Sequence, residues 1–568
     1  MDKAELSDTA ALDTDVAALR AAAGEWATAP LAEKRRLLEA VRGATAAVAD
    51  EWVRVCCQGK GIATGSPAAG EEWMSGPYAV LASVAALIRL LEGLEAGTSP
   101  LDRLRARALP GGQVALRVFP SVPEDRLVLG YSAEVWLRPG VTVEEAKAGL
   151  GRRLRDPGPS GRVALVLGAG NISSIPPLDG LAKLYQDNAV VMIKLNPLNA
   201  ALEPVLNRAL APFVERGFVR VTSGAVDVGA YLAHHPEVDA VHITGNAASH
   251  DALVFGPGEE GARRQRARQP LLAKPVTSEL GGVGPVVVVA GRWSDAALAA
   301  QAENVATQRL HNSGFNCIAT QIVVLPRSWP QADRFLEHLR RAVRAAPDRR
   351  AWYPGAADRQ HAAVATHPGA ELLGGDPAVP RTLLADLDPG DPDEPAFRTE
   401  YFGPVLGVTR LPGDGPDAFL DNAAAFCNER LAGDLGATLV AAPRTLRELG
   451  PRFEAGIARL RYGTVAVNCW VGPIFGMPRA TWGAFPGHDV HDVGSGVGIV
   501  HNALLLDPDH VERTVGRGPF RPWPRPLWFV SNRTALVTGE RMTRFAAEPS
   551  LPRAIPRVVA AIASSLRG

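Results

Sequence analysis

Residues 162–194 read RVALVLGAGNISSIPPLDGLAKLYQDNAVVMIK, and this stretch decides the fold. Its two ends, 162–167 and 189–194, are short apolar runs of the kind that form buried strands. Between them, residues 178–187 have the apolar spacing of a helix. A strand, a helix and a second strand in this order predict a parallel pair, because parallel strands need a crossover connection.

The same alternation continues along the chain in two series. In the first series, strands are predicted at 219–222 and 238–244, and helices at 202–216 and 228–234. The second series begins near Glu279, with predicted strands at 285–289, 321–325, 404–409, 437–440 and 464–468, and helices at 296–310, 331–345 and 444–456. Repeated units of this kind predict an α/β fold with parallel, twisted sheets covered by helices on both faces. Such sheets bind ligands beyond the carboxyl ends of their strands.

The segments outside these series have other patterns. Residues 9–100 have helical spacing, and the chain ends in a predicted helix at 557–566. Strands are expected at 114–118, 127–129, 133–137, 527–530 and 534–537.

Composition narrows the class of protein. The chain has 568 residues, 46% of them hydrophobic and 21% charged, which is typical of a globular protein. A formal net charge of zero gives no general attraction to nucleic acid or to a membrane surface. The acidic start does not resemble a secretory signal, and no apolar run reaches the ~20 residues that span a bilayer. The five cysteines fit neither a disulfide framework nor a zinc site. We therefore expect a cytoplasmic protein without a metal, a nucleic-acid partner or a membrane partner.

One cysteine lies in a setting that suggests chemistry. Cys317 ends the run Asn312-Ser313-Gly314-Phe315-Asn316-Cys317, just before a predicted strand, and Glu279 lies 38 positions earlier beside another. A thiol can hold an acyl group as a thioester, and a carboxylate can activate the water that releases it. The alternative for Cys317 is an inert buried cysteine, which is the reading we give to the other four.

The order of short motifs resembles that of the NAD(P)-dependent aldehyde dehydrogenase superfamily over about residues 160–500. The motifs are Gly170-Asn171, Lys194, Thr222-Ser223-Gly224, the run from His235 to Gly245, Glu279-Leu280-Gly281-Gly282, Gly314-Phe315-Asn316-Cys317, Glu400-Tyr401-Phe402-Gly403-Pro404 and the run from Gly463 to Asn468. Each motif alone is weak, whereas eight in this order make a specific signal.

The resemblance implies a role for each residue of the site. Cys317 is the implied nucleophile that attacks an aldehyde, and Glu279 the base that activates water. The Asn171 amide and the Cys317 backbone N–H are the implied oxyanion hole. Lys194 would hold the adenosine ribose of NAD or NADP, and Glu400 the nicotinamide ribose, with Phe402 against the ring. The implied pyrophosphate neighbours are Thr244, Gly245 and Asn246, at a helix N-terminus.

The resemblance also implies an architecture of two Rossmann-type αβα domains and a small β oligomerisation domain. The expected cofactor-binding domain takes N-terminal helices in 1–113 together with 160–277, and the catalytic domain takes 278–500. The oligomerisation strands and a C-terminal extension are expected in 114–159 and 501–568. A homodimer or homotetramer is the expected assembly, because sheet edges are commonly covered by partner subunits.

Three departures from the family pattern leave alternatives open. Phe315 stands where the family usually has Gln, and Asn246 and His250 stand where it usually has Ser and Gly. Lys194 is followed by Leu195-Asn196-Pro197-Leu198, without the acidic ribose contact that favours NAD, so the choice between NAD and NADP stays open. The function expected first is oxidation of an aldehyde to a carboxylic acid. A CoA-acylating dehydrogenase and a non-catalytic protein on the same scaffold are the alternatives.

Overall fold

A computed structural model describes residues 9–156, 158, 161–548 and 551–566, and these residues form an α/β structure. The α-helices of the described residues are Thr9–Thr28, Leu31–Lys60, Ala69–Trp73, Ala79–Glu95, Val143–Gly149, Arg152–Arg155, Ile175–Tyr185, Glu203–Ala209, Ala211–Val214, Val226–His234, Ala247–Phe255, Gly258–Arg266, Asp295–Leu310, Ala332–Ala345, Ala356–Thr366, Pro395–Arg398, Pro416–Arg430, Pro443–Leu449, Pro451–Arg459, Gly472–Phe475, Ala535–Ala547 and Leu551–Ser565. The strands form two large sheets and one small pair.

The first large sheet has six strands and contains both strands of the 162–194 stretch. In spatial order they are Gly496–Val497, Val276–Leu280, Ala240–Gly245, Arg162–Leu167, Ala189–Lys194 and Val219–Thr222. All neighbours are parallel except the first pair. The register aligns Leu167 with Lys194, and Lys194 with Thr222, so these strands end in one row. Loops that leave this row can therefore converge on one edge of the sheet.

The second large sheet has eleven strands and runs through the second predicted series. In spatial order they are Arg105–Ala108, Val114–Phe119, Ser132–Leu137, Val511–Arg517, Thr464–Val467, Gly436–Val440, Gly284–Val288, Thr320–Pro326, Val405–Leu411, Val379–Leu387 and Glu371–Asp376. The central strands are parallel, and the three from the 105–137 region continue the sheet as an antiparallel extension. The remaining pair joins Trp482–Gly483 to Ile499–His501.

The strand predicted at 127–129 is wrong. A 3₁₀ turn covers Pro123–Leu127, and a turn follows it. The Asp125 carboxylate accepts hydrogen bonds from the backbone N–H groups of Ser121 and Val122, at 2.7 and 3.1 Å. A side chain that accepts hydrogen bonds from nearby backbone N–H groups takes the place of a partner strand, and it therefore favours a turn.

The strands predicted at 527–530 and 534–537 are also wrong. The first segment is a turn, and the second begins the helix Ala535–Ala547. Proline at 522, 524 and 526 removes the N–H groups that a ladder needs, and the Asn532 side chain accepts from the Thr534 N–H at 2.8 Å. The strand that the C-terminal region does contribute, Val511–Arg517, was not predicted.

The N-terminal helices pack against the six-stranded sheet. Trp26 is fully buried against Tyr185 and Phe213, and its indole N–H donates to the Leu184 carbonyl at 3.2 Å. The continuous helical stretch Ala69–Glu95 is long and apolar enough to cross a membrane by length and composition, and 61% of its most apolar window is buried inside the protein. A buried core helix meets the same two criteria.

Candidate active site

The structure brings the two residues with predicted chemistry into contact. Glu279 lies on the strand Val276–Leu280, whose neighbour aligns Thr244 with it. Cys317 follows the 3₁₀ turn His311–Gly314 and precedes the strand Thr320–Pro326 of the other sheet. The Cys317 thiol donates to Glu279 Oε1 at 3.1 Å. The candidate site therefore lies where the two large sheets face each other.

The environment keeps this thiol protonated at rest. Burial raises the pKa of Cys317 well above its usual range, and the charge of Glu279 and its hydrogen bond raise it further. Burial also raises the pKa of Glu279, which is 1% exposed, whereas its electrostatic interaction with His501 lowers it. A neutral thiol bonded to a carboxylate can pass its proton to that carboxylate when it attacks.

Asn171 lies in the loop after the strand Arg162–Leu167. It contacts residues 311–317, the loop that ends at Cys317, which we call the nucleophile loop. Its Nδ2 donates to the Phe315 carbonyl at 3.0 Å. An amide nitrogen carries two hydrogens, so the second remains to donate to a reacting oxygen. Asn171 and the Cys317 backbone are thus near enough for the implied oxyanion hole.

Trp482 is a candidate site residue that none of the sequence motifs identifies. Its indole N–H donates to Glu279 Oε2 at 3.0 Å, so both carboxylate oxygens of Glu279 have a donor. Phe475 packs against Trp482, with ring centroids 5.2 Å apart. Trp482 was recognisable only as a bulky aromatic, because the pairing with Glu279 joins residues 203 positions apart.

The proposed cofactor residues lie at the carboxyl ends of the six-stranded sheet. Lys194 is the last residue of its strand and is 6% exposed, and burial lowers its pKa. Within the described residues its ammonium group makes no hydrogen bond and no ion pair, so a polar group of a ligand could take that place. The charge of Asp227 raises the pKa of Lys194 and partly offsets the effect of burial.

The segment Thr244–Asn246 ends the neighbouring strand and begins the helix Ala247–Phe255. The Asn246 side chain caps this helix by accepting from the Ser249 N–H at 2.8 Å. Gly245 is exposed, whereas the Thr244 hydroxyl is buried and donates to Asp179 Oδ2 at 2.9 Å. Exposed backbone at a capped helix N-terminus suits an anion.

Glu400 lies on the loop after the helix Pro395–Arg398 and approaches Gly281 closely. A Cβ atom at Gly281 would collide with both carboxylate oxygens, so any other residue there would displace the Glu400 side chain. The Gly282 N–H donates to the Glu400 carboxylate. Burial raises the pKa of Glu400 to about 8, although the charge of Arg309 opposes this. Glu400 thus has a carboxyl group with few donors, and Lys194 has an ammonium group without a partner among the described residues. The hydroxyl groups of the two riboses of a dinucleotide could bind to these two groups.

The raised pKa of Glu400 predicts a pH-dependent stability. The folded protein holds a proton on Glu400 between its usual pKa of 4.5 and about 8, which the unfolded chain does not hold. Stability should therefore fall as pH rises through this window, and Glu400→Gln should flatten the fall. Thermal melts of both proteins from pH 5 to 9 measure this, with the exposed Glu259→Gln as control. A constant difference in Tm between wild type and Glu400→Gln at every pH would contradict it.

Phe402 belongs to an aromatic cluster behind the nucleophile loop. Phe315, which replaces the usual Gln, is fully buried there, with Trp352 at 5.3 Å, Tyr353 at 5.5 Å and Phe402 at 5.8 Å between ring centroids. Phe402 is partly exposed and has a φ of 38°. Phe315 in place of Gln therefore packs the nucleophile loop against three other aromatic side chains.

His311 lies beside the site without joining the thiol. Its ring packs against Trp470 with centroids 5.0 Å apart, and its Nε2 lies 3.9 Å from Glu71 Oε2. Burial lowers the pKa of His311. Glu279 is accordingly the hydrogen-bond partner of Cys317.

Comparison with known proteins agrees with this geometry. The model of the aldehyde dehydrogenase family matches residues 188–490, which is more than half of the chain. The matched region includes Lys194, Glu279, Cys317 and Glu400, whereas Asn171 precedes it.

Similar solved structures show the same fold. An indole-3-acetaldehyde dehydrogenase in complex with NAD+ is 19% identical, with 90% of each chain covered and a TM-score of 0.58. A mutant of aldehyde dehydrogenase C from Pseudomonas syringae, in complex with NAD+ and octanal, is 18% identical, with 90% of each chain covered and a TM-score of 0.59. An NADP-dependent glyceraldehyde-3-phosphate dehydrogenase from Bacillus halodurans, in complex with NADP, is 18% identical, with 89% of this chain and 91% of that chain covered and a TM-score of 0.57.

The predicted fold class is confirmed by these structures, and the predicted family by the family model. The domain boundaries stay a prediction. The family model matches more than half of its length, and a thiol and a carboxylate are in contact between its two large sheets: this chain belongs to the aldehyde dehydrogenase family.

Proposed function

We propose that this protein oxidises an aldehyde to a carboxylic acid through a thioester on Cys317, with NAD or NADP as hydride acceptor. The observation that carries the proposal is the contact between the Cys317 thiol and Glu279 Oε1 at 3.1 Å, with Asn171 bonded to the same loop. A nucleophile, a base and an oxyanion donor are the three groups that this chemistry needs.

In the first half of the reaction the thiol proton passes from Cys317 Sγ to Glu279 Oε1. The thiolate adds to the aldehyde carbon, a C–S bond forms, and the carbonyl oxygen becomes an oxyanion facing the Asn171 amide. An oxyanion donor of this kind contributes roughly 2.7 to 4 kcal/mol in other enzymes. A bound nicotinamide supplies the acceptor for the hydride that leaves this carbon. The acyl group then remains on Cys317 as a thioester.

In the second half Glu279 acts on water. The carboxylate must first lose the proton that it took from the thiol, and it then accepts a proton from the attacking water. The hydroxide adds to the thioester carbon, the C–S bond breaks, and Cys317 leaves as a thiolate that takes back the proton from Glu279. The acid departs, and the proton that Glu279 lost before this step goes to solvent. Before the reaction the Cys317 thiol and the Trp482 N–H each donate to one oxygen of Glu279; once Cys317 is acylated, the Trp482 N–H remains to orient the carboxylate.

The coenzyme would be held by the residues at the sheet edge. Lys194 supplies an ammonium without a partner among the described residues for the adenosine ribose, and Glu400 a carboxyl group for the nicotinamide ribose. The exposed backbone near Gly245 and Asn246 suits the pyrophosphate. Structural relatives in complex with NAD+ and with NADP support either coenzyme.

A CoA-acylating reaction is the second candidate, because it uses the same thioester and passes it to a thiol. The buried, oriented Glu279 favours hydrolysis, since transfer to a thiol can proceed without a base for water. The test incubates purified protein with NAD or NADP and short, long or aromatic aldehydes, with and without CoA, and identifies the product. Free acid formed at the same rate in both arms is expected. Acyl-CoA as the main product would replace the hydrolytic proposal.

A further inference from the structure

Asn312 connects the two loops of the candidate site. Its Nδ2 donates to the Asn171 carbonyl at 3.1 Å and to the Phe315 carbonyl at 3.0 Å. The Asn171 side chain donates to the same Phe315 carbonyl. One amide therefore sets the distance between the loop with the nucleophile and the loop with the oxyanion donor.

The backbone at Asn312 is strained and needs support from outside the loop. Asn312 and Ser313 have φ angles of 52° and 58°, in the left-handed region. Non-glycine residues persist there when their surroundings over-determine the conformation. Asn312 and Ser313 therefore need contacts with residues outside their own loop.

The support comes from a buried cluster of four charged residues, which we call the anchor cluster: Lys60, Glu71, Glu72 and Arg349. Glu71 Oε2 accepts from the Asn312 N–H at 3.0 Å and from Arg349 Nη1 at 2.5 Å. The Lys60 ammonium donates to Glu72 Oε1 at 2.8 Å and to Asn312 Oδ1 at 3.1 Å.

These charges fix the orientation of the Asn312 amide. An ammonium group only donates hydrogen bonds, so the amide oxygen must face Lys60 and the NH₂ must face the two carbonyls. The charge of Arg349 lowers the pKa of Glu71 to about 2 despite its burial, so Glu71 is ionised and accepts from the backbone N–H. A rotation of the Asn312 amide would break three contacts at once.

The helix Ala535–Ala547 packs against the helix that carries two residues of the anchor cluster. A Cβ atom at Gly70 would collide with the Ala535 backbone, so this helix packs directly on the helix Ala69–Trp73 that carries Glu71 and Glu72. The Thr543 hydroxyl contacts the Trp73 carbonyl at 3.4 Å. Both helices lie outside the residues matched by the family model.

We propose that the anchor cluster positions the candidate oxyanion hole through Asn312, and that this role rests on the proposed aldehyde oxidation. The desolvation cost of buried charges can exceed the energy of their mutual attraction, so stability alone does not explain the anchor cluster. Its contacts with Asn312 instead fix the relative position of the two loops of the candidate site. Glu71 and Lys60 are positioning residues, since they contact neither the thiol nor Glu279.

The test compares Glu71→Gln with Asp125→Asn. Asp125 pairs with Arg479 at nearly the same burial, with side chains 9% and 13% exposed against 8% and 11% for Glu71 and Arg349. It therefore controls for the loss of a buried ion pair. We expect Glu71→Gln to lower kcat about 10- to 100-fold with KM almost unchanged, because small displacements of reacting groups are costly. Asp125→Asn should lower Tm and leave kcat unchanged.

A second measurement separates this proposal from the proposed function. The rate at which iodoacetamide alkylates Cys317 needs no turnover, and it should rise in Glu71→Gln, because a relaxed loop frees the thiol from Glu279. It should not change in Asp125→Asn. If wild type oxidises no aldehyde, the proposed function fails and the alkylation rates still test the anchor cluster. A folded Glu71→Gln protein with wild-type alkylation, or an equal loss of kcat in both variants, would overturn the inference.

Discussion

Replacing Cys317 by alanine is expected to abolish aldehyde oxidation, with a loss of about 10⁴-fold or more in kcat. The reason is that no other nucleophile stands at the position of the thiol, and enzymes that lose their nucleophile lose catalysis on this scale. The measurement is reduced-nicotinamide formation, both in the steady state and in the first turnover. Coenzyme affinity should be retained, because Lys194, at the end of a strand, and Glu400, on another loop, do not depend on the thiol.

Cys469→Ala is the matched control for this prediction. Cys469 is a buried cysteine that is 4% exposed, so its replacement removes packing volume without touching Cys317. We expect it to lower stability and to keep turnover. Substantial turnover in the Cys317→Ala protein would show that the reaction does not pass through this thiol.

Replacing Glu279 by glutamine should separate the two halves of the reaction. The loss of a general base typically costs about 10²- to 10⁴-fold, so release of the acyl group should become very slow. In this variant the thiol proton must pass to solvent, so the expected result is a slowed burst of reduced nicotinamide that ends at about one equivalent per site and is followed by almost no turnover. Intact-protein mass measurement should then find the acyl group on Cys317.

The same variant should change the titration of the thiol. The charge of Glu279 and its hydrogen bond both raise the pKa of Cys317, so their removal should lower that pKa. The pH profile of Cys317 alkylation should therefore shift to lower pH in Glu279→Gln. Hydroxylamine, a strong nucleophile, should restore release of the acyl group. Undiminished turnover that increases with CoA would instead favour the acyl-transfer reaction.

The sequence predicted the parts of this molecule that depend on local pattern. The valine-rich strands 162–167 and 189–194 and the helix between them were found because apolar period and length are local properties. The link between Cys317 and Glu279 was suggested because a thiol and a carboxylate, each beside its own predicted strand, can serve as a nucleophile and its base. Their contact could be confirmed only by the structure.

Other features depend on contacts between distant parts of the chain. Glu71 meets Asn312 across 241 positions and Arg349 across 278 positions, and no local pattern marks such a pair. The expected strand at 527–530 was wrong although its composition is strand-like. The prolines before it lack the N–H groups that a strand needs, and the Asn532 side chain accepts the backbone hydrogen bond of Thr534, which favours a turn. The unpredicted strand Val511–Arg517 (VERTVGR) carries polar side chains at most positions, without a regular alternation, and gains its partners from two remote segments.

The most direct test of the central claim is reduced-nicotinamide formation by the purified wild-type protein with NAD and NADP over short, long and aromatic aldehydes. We expect at least one aldehyde to be oxidised with one of the two coenzymes, with one carboxylic acid formed for each coenzyme reduced. No reduction of either coenzyme by any aldehyde, with or without CoA, together with no coenzyme binding by calorimetry, would contradict the claim and identify a non-catalytic protein on this scaffold.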